Sequence, residues 1–233
     1  MKKSLTAAAA AALLSLSCGG AALISGKATF VAGDASIMRA GKVTPLTLGS
    51  AVHERDSVIT GTNGVAVIAF ADVITVEIQH NASFDVRSIR NAKKNFYLSR
   101  GNVWAMVKKL AVDNELSIET PNSIASVRGT KFYTFDVGAI HGTCHCEGVI
   151  DYRSWNFSGT NDSDYLVFTK DGVSIVVNPS ELAFVGMTGH DHSILPDSPV
   201  GYCPPKGTTL NMKKMTEYLE ARLAEAKKTG KPR

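Results

Sequence analysis

Between Lys27 and about Met187 the chain is a succession of short β-branched and aromatic runs cut by turn residues. Val65-Ala66-Val67-Ile68-Ala69-Phe70, Ile74-Thr75-Val76-Glu77-Ile78, Asn102-Val103-Trp104-Ala105-Met106-Val107, Lys131-Phe132-Tyr133-Thr134-Phe135 and Val173-Ser174-Ile175-Val176-Val177 are the clearest. Gly61, Asn63-Gly64, Gly101, Gly129, Gly138, Gly148 and Asp171-Gly172 punctuate them. Runs of ~4–7 residues with turns every ~8–12 predict an all-β fold: a sandwich or jelly roll, or a short β-solenoid. No apolar stretch in this body sustains a 3.6-residue period. No G-x-G-x-x-G or P-loop follows a strand, which argues against a nucleotide-binding α/β fold. With 233 residues, 44% of them hydrophobic, an ample core is within reach, and disorder is excluded.

The two ends differ from this body. Lys2 and Lys3 precede an Ala/Leu-rich run from Leu5 to Leu16, too short to span a bilayer, so residues 1–17 read as a secretory signal peptide. Leu14-Ser15-Leu16-Ser17-Cys18 resembles a bacterial lipobox, which implies lipidation at Cys18 and a membrane anchor. Ser15 departs from the usual Leu, and ordinary cleavage beside small residues is the alternative. Residues 18–26 then form a linker. At the other end, Pro204-Pro205-Lys206-Gly207 breaks the β pattern. Met212, Met215, Leu219, Leu223 and Ala226 follow at helical spacing, with Asn211 or a preceding Thr as cap, predicting one α-helix over residues 212–227 within the segment 204–233.

The formal net charge of +4 is uneven. Residues 211–233 hold seven basic and three acidic side chains, whereas residues 18–210 hold 16 basic and 18 acidic ones. The body therefore lacks the basic excess that neutralises phosphates, and no nucleic acid partner is expected.

Within the body, one ordered series of motifs carries a family likeness. Gly33-Asp34-Ala35-Ser36-Ile37-Met38-Arg39 opens it. Thr44-Pro45-Leu46-Thr47-Leu48-Gly49, Arg55-Asp56-Ser57-Val58-Ile59-Thr60-Gly61 and Phe96-Tyr97-Leu98-Ser99-Arg100-Gly101-Asn102-Val103 follow. The most specific part is Ile118-Glu119-Thr120-Pro121-Asn122-Ser123-Ile124-Ala125-Ser126-Val127-Arg128-Gly129-Thr130-Lys131-Phe132. Over residues 27–153 the chain resembles the FecR-like domain family, with residues 154–203 as a β-rich extension. The resemblance implies an exported binding or sensing module without catalysis. The signal peptide and lipobox add an exported, periplasmic or outer-membrane location, and the basic amphipathic C-terminal helix adds an envelope polymer or protein as partner.

Elementary chemistry reads the same residues structurally. Asn63-Gly64 predicts a two-residue hairpin turn. Thr120-Pro121 predicts an extended residue followed by a strand break. Gly129 predicts a bulge or a close backbone approach. Arg128, if it points inward, needs a carboxylate, with Asp56 or Glu119 as candidates. At Asp72-Val73 the family commonly has Asp-Gly. Val is disfavoured at positive φ, so this hairpin is expected to turn differently.

Three cysteines remain after Cys18: Cys144, Cys146 and Cys203. On a strand, Cys144 and Cys146 share one face and His145 takes the other; His190 and His192 share a face in the same way. Brought together, Cys144, Cys146, His190 and His192 would form a closed tetrahedral site suited to zinc. Were water to replace one ligand, Glu147 would support that metal or act as a base, the arrangement of a metal-dependent hydrolase. Other arrangements stand beside this one: a local Cys144–Cys146 disulfide, a bridge from one of them to Cys203, or cysteines serving as small core residues. The functional expectation is a non-catalytic envelope module, with a zinc-binding or thiol redox-sensing protein as the alternative.

Overall fold

Side-chain alternation sets the layers. The computed structural model describes residues 25–90, 92–111, 113–137, 140–154, 157–161, 166–170, 173–177, 191–200 and 211–229. The signal peptide, Cys18, His190, Cys203 and the Pro204-Pro205 break lie outside the described residues. In chain order the strands are β1 (Gly26–Ala32), β2 (Ala35–Arg39), β3 (Lys42–Pro45), β4 (Ala51–Val52), β5 (Ser57–Thr60), β6 (Val65–Phe70), β7 (Ile74–Ile78), β8 (Ser83–Ser88), β9 (Lys93–Val107), β10 (Glu115–Glu119), β11 (Ser123–Val127), β12 (Thr130–Val137), β13 (Ile140–Glu147), β14 (Ile150–Ser154), β15 (Phe157–Asn161), β16 (Leu166–Lys170) and β17 (Val173–Val177). One helix, α1 (Met212–Thr229), follows.

Pairing sorts the strands into two layers. Layer A runs β4-β1-β6-β7-β9-β12-β13-β16-β17, using residues 101–107 of β9. Layer B runs β3-β2-β5-β8-β9-β10-β11-β14-β15, using residues 93–100 of β9. Only the β9–β10 pair is parallel among these ladders. The fold is the all-β, sandwich-like one that the pattern predicted, with one C-terminal helix.

Strand β9 belongs to both layers, and Gly101 makes that workable. Before it, even positions (Phe96, Leu98) face the inter-layer core; after it, odd positions (Val103, Ala105, Val107) do. Gly101 has φ +89°, and a Cβ there would lie 2.6 Å from the Ala82 backbone. A left-handed residue in mid-strand shifts the parity of the pleat. The core between the layers includes Ile68, Phe70, Val76, Phe84, Phe96, Leu98, Phe132 and Tyr152. Phe96 packs against Phe70 and Phe84 at centroid distances of 5.0 and 5.1 Å.

A second apolar cluster covers the outer side of layer A. Trp104, Tyr133, Phe135, Cys144, Cys146, Phe168, Ile175 and Val177 come from its strands; Val200, Leu219 and Leu223 come from the chain that lies over them. Helix α1 is capped as predicted, with Asn211 Oδ1 accepting from Lys214 N at 3.0 Å, and Lys227 and Lys228 sit in its last turn. Its stripe buries Leu219 and Leu223.

Local readings fared unequally. Thr120 Oγ1 accepts from the amides of Asn122 and Ser123, closing the β10–β11 turn at Pro121. The Gly129 Cα faces Lys109, where a Cβ would sit 2.9 Å from the Lys109 Cα, so the close approach holds. Thr130 Oγ1 donates to the Val149 carbonyl at 3.1 Å. At the β6–β7 hairpin the positive φ falls on Ala71 and not on Val73, a different turn as expected. Asn63-Gly64 is not a hairpin turn: β5 and β6 lie in different layers, and neither residue has positive φ. The segment is a crossing between layers. A Cβ at Gly64 would collide with the Asp34 carbonyl, and Asn63 Oδ1 accepts from Asp34 N.

Arg128 is also corrected. It is exposed, so it needs no buried partner. The two carboxylates proposed for it serve other arginines. Asp56, 1% exposed, takes a bidentate contact from Arg39 at 2.8 and 2.7 Å, and Glu119 pairs with Arg87. Burial alone would raise the Asp56 carboxyl, but the Arg39 hydrogen bond and the His53 amide outweigh it and hold the group below its ordinary value.

Candidate functional site on the outer face of layer A

Four strands contribute one residue each to a transverse row. Glu77 on β7 stands opposite Trp104 on β9, Trp104 opposite Tyr133 on β12, and Tyr133 opposite Cys144 on β13. Their outward direction follows from alternation: Val76, Ile78, Ala105 and Phe132, the flanking residues, all face the inter-layer core. All four are buried, because residues 191–200 and α1 lie above them.

A buried carboxylate needs donors. Glu77 is fully buried and accepts from Ser193 Oγ at 2.7 Å, Ile194 N at 3.0 Å, Ser198 Oγ at 2.5 Å and Gln79 Nε2 at 3.3 Å. Gln79 Nε2 also donates to the His192 carbonyl at 2.5 Å. The strap 191–200 is therefore clamped to layer A by one acid and one amide. Asp191 Oδ1 and Ser193 Oγ close small turns within it.

The clamp sets His192. Its ring stacks on Tyr133 at 4.4 Å with 13° between planes and tilts over Trp104 at 5.1 Å. There its ligand nitrogen and the Sγ atoms of Cys144 and Cys146 lie within 4.8 Å of one another, all three residues buried. The two sulfurs are 3.7 Å apart. Cys144 is a thiol, whereas Cys146 is disulfide-bonded to a partner outside the described residues. The local Cys144–Cys146 bridge is thus not formed; a distant bridge from one of the pair is. Burial drives the Tyr133 phenol far above its ordinary value, and the charges of Cys144 and Glu77 add to the shift.

Of the four residues read as zinc ligands, the fold brings Cys144, Cys146 and His192 together, and His190 lies outside the described residues. His145 points to the other side of β13, as alternation required; burial lowers its pKa to about 3. Glu147 is not beside the cluster in any contact described; it is mostly exposed and pairs with Lys131 at 3.3 Å. Glu77, Gln79, Trp104, Tyr133, Ser193 and Ser198 were not foreseen. Glu77 sits in a plain alternating strand where a charged residue reads as solvent-facing, and three of its four donors come more than 110 positions later.

Three comparisons place the chain among known proteins. Residues 56–147, strands β5 to β13, match the family model described as FecR protein, and the match includes the Thr120–Phe132 block that carried the resemblance in sequence. No curated protein matches the chain in sequence. Two crystal structures of one protein from Parabacteroides distasonis ATCC 8503, described as a candidate anti-sigma factor, are similar to it in structure. Each has a TM-score of 0.49 and 8% identity over 71% of this chain, covering 91% and 90% of the crystallised chains. Among the described residues no helix is long and apolar enough to cross a membrane.

Proposed function

We propose that the protein is a non-catalytic binding or signalling module of the bacterial cell envelope. The carrying observation is the FecR match, which spans the central strands of both layers. The signal-peptide reading of residues 1–17 and the lipobox reading at Cys18 support export and lipid anchoring, with an envelope protein or polymer as partner. Fractionation of the native host tests this. The full chain is expected with the envelope membranes, the Cys18→Ala variant is expected in the exported soluble fraction, and cross-linking of whole cells is expected to join the chain to an envelope protein or polymer. Recovery from the cytoplasm, or no cross-linked envelope partner, would overturn the reading.

A second reading is favoured by the convergence of Cys144, Cys146 and His192. It assigns a zinc-class metal or a thiol redox couple to this cluster, with His190 as the fourth ligand. Metal analysis of the purified full chain tests it: about one zinc per chain in reduced protein supports a metal site, and no metal together with no redox-active thiol rejects both forms.

A further inference from the structure

We propose that Cys144, Cys146 and His192 form a redox-gated site for a thiophilic divalent cation, open when the Cys146 disulfide is reduced and closed when it is oxidised. The inference rests on the metal reading above and adds the gate and the charge state of the ion.

The spacing of the sulfurs carries the first step. Zinc holds thiolates at about 2.3 Å in a tetrahedron, which puts two of them about 3.8 Å apart. The Cys144 and Cys146 sulfurs are 3.7 Å apart, against about 2.05 Å for a bonded pair. Both sit on β13: Cys144 pairs with Tyr133 on one side and Leu166 on the other, and Cys146 falls at the bulge where the β12 register shifts between Lys131 and Phe132. The His192 nitrogen lies within 4.8 Å of both, and its backbone is pinned by Gln79 with Ser193 and Ile194 on Glu77. Closing the remaining gap asks for a shift of about an ångström in one ring, small beside the reach of a side-chain rotation.

Charge and softness select the ion. Two thiolates and a neutral imidazole exclude calcium and magnesium, which take oxygen ligands. Two thiolates with a divalent cation make a neutral unit. The surroundings, Trp104, Tyr133, Phe135 and Phe168, are apolar and buried, and the buried acid Glu77 lies at the far end of the same row. A monovalent cation would leave a net negative charge in that setting, which burial opposes. The fourth position falls to one neutral donor.

Oxidation closes the site because a disulfide sulfur has no thiolate charge to give. The ion then keeps a single thiolate, that of Cys144, beside neutral donors, and its uncompensated positive charge in an apolar, buried setting weakens binding. Opening the site requires a dithiol reductant, a protein dithiol of the envelope or a small one. It transfers two hydrogens, breaking the Cys146 disulfide into two thiols and becoming a disulfide itself. Metal entry then releases one proton from Cys144 and one from Cys146.

The test uses the purified full chain in two states, air-oxidised and reduced with dithiothreitol that is removed before metal is added. Cadmium(II) is titrated into each while the thiolate-to-metal ultraviolet band and proton release are recorded. The reduced chain is expected to bind one ion with the release of about two protons, and the oxidised chain to bind at least ~100-fold more weakly, with no band. His192→Ala in the reduced chain should weaken binding ~10–100-fold, as loss of one of three ligands does. Equal binding in both states would overturn the gate and leave the metal reading standing. No binding in either state would overturn both. Cys146→Ser removes a ligand together with the disulfide and must bind weakly with or without reductant; if it does not fold, Cys144→Ser, which keeps the disulfide, must lose the tight binding that reduction gives the parent.

Discussion

At the scale of single residues, two buried ionisable groups stand opposite each other on β12 and β13: Asp136 and His141. Burial pushes the Asp136 carboxyl up to about 6, with a hydrogen bond from Asn122 pulling the other way, and it pushes His141 down to about 4. The folded chain keeps the Asp136 proton up to about 6 where the unfolded chain has lost it, so this term favours folding at acid pH and fades as pH rises. For His141 the unfolded chain takes up a proton below its ordinary 6.5 and the folded chain does not until about 4, so stability falls as pH drops through that window. Between about 4 and 6 the two slopes oppose each other. Asp136→Asn removes one of them. The variant should be more stable near pH 8 by about 1–3 kcal/mol. It should also lose stability more steeply than the parent between pH 6 and 4.5, read as thermal midpoints across that range. Superimposable curves would show that Asp136 carries no such shift. None of this was legible beforehand, since His141 reads in sequence as an isolated histidine and its burial depends on the layer facing it.

Among the elements, α1 is the case where local rules sufficed. Asn211 as cap, the 3-4-4-3 stripe and the terminal lysines are all short-range signals, and the helix formed where they said. Leu219 and Leu223 contact only the second apolar cluster, not the core between the layers. Leu219→Ala should therefore cost about 2–4 kcal/mol of helix docking. It should raise hydrogen exchange over residues 212–229 while β6, β7 and β9 stay protected. Lys170→Ala breaks the part-exposed Lys170–Glu220 pair, and that loss should cost less than about 1 kcal/mol in the same measurement. Uniform loss of protection across the sandwich in Leu219→Ala would show that the two clusters are one cooperative unit. Asn63-Gly64 is the opposite case. Two permissive residues between β runs satisfy the hairpin rule equally well whether the chain turns back in its own layer or crosses to the other, and only the distant Asp34 carbonyl, which leaves no room for a Cβ at Gly64, distinguishes them.

For the molecule as a whole, β9 is the element that neither layer can lose. It pairs with β7 and β12 in one and with β8 and β10 in the other. Gly101→Val places a branched side chain at φ +89° and against the Ala82 backbone. The expected cost is about 3 kcal/mol or more. Because both layers depend on the strand, circular dichroism and denaturant midpoints should move together, with no half-folded plateau. A stable intermediate with one layer intact would contradict this. The all-β class was legible from periodicity because each strand announces its own alternation. Layer membership was not, since it is decided by which strand lies opposite. The candidate site was half legible: C-x-C and H-x-H announce shared faces, but the acid that clamps the strap looks like any surface glutamate.

The strap over Glu77 has one more consequence. The strap is an intramolecular ligand for its own sheet, since it belongs to the chain it covers. Such a ligand does not diffuse away when its contacts open, so rebinding is favoured over capture of a free peptide with the same hydroxyl and amide donors. The outer face of layer A is thus pre-occupied by its own chain, and a competitor reaches it only after the strap has let go.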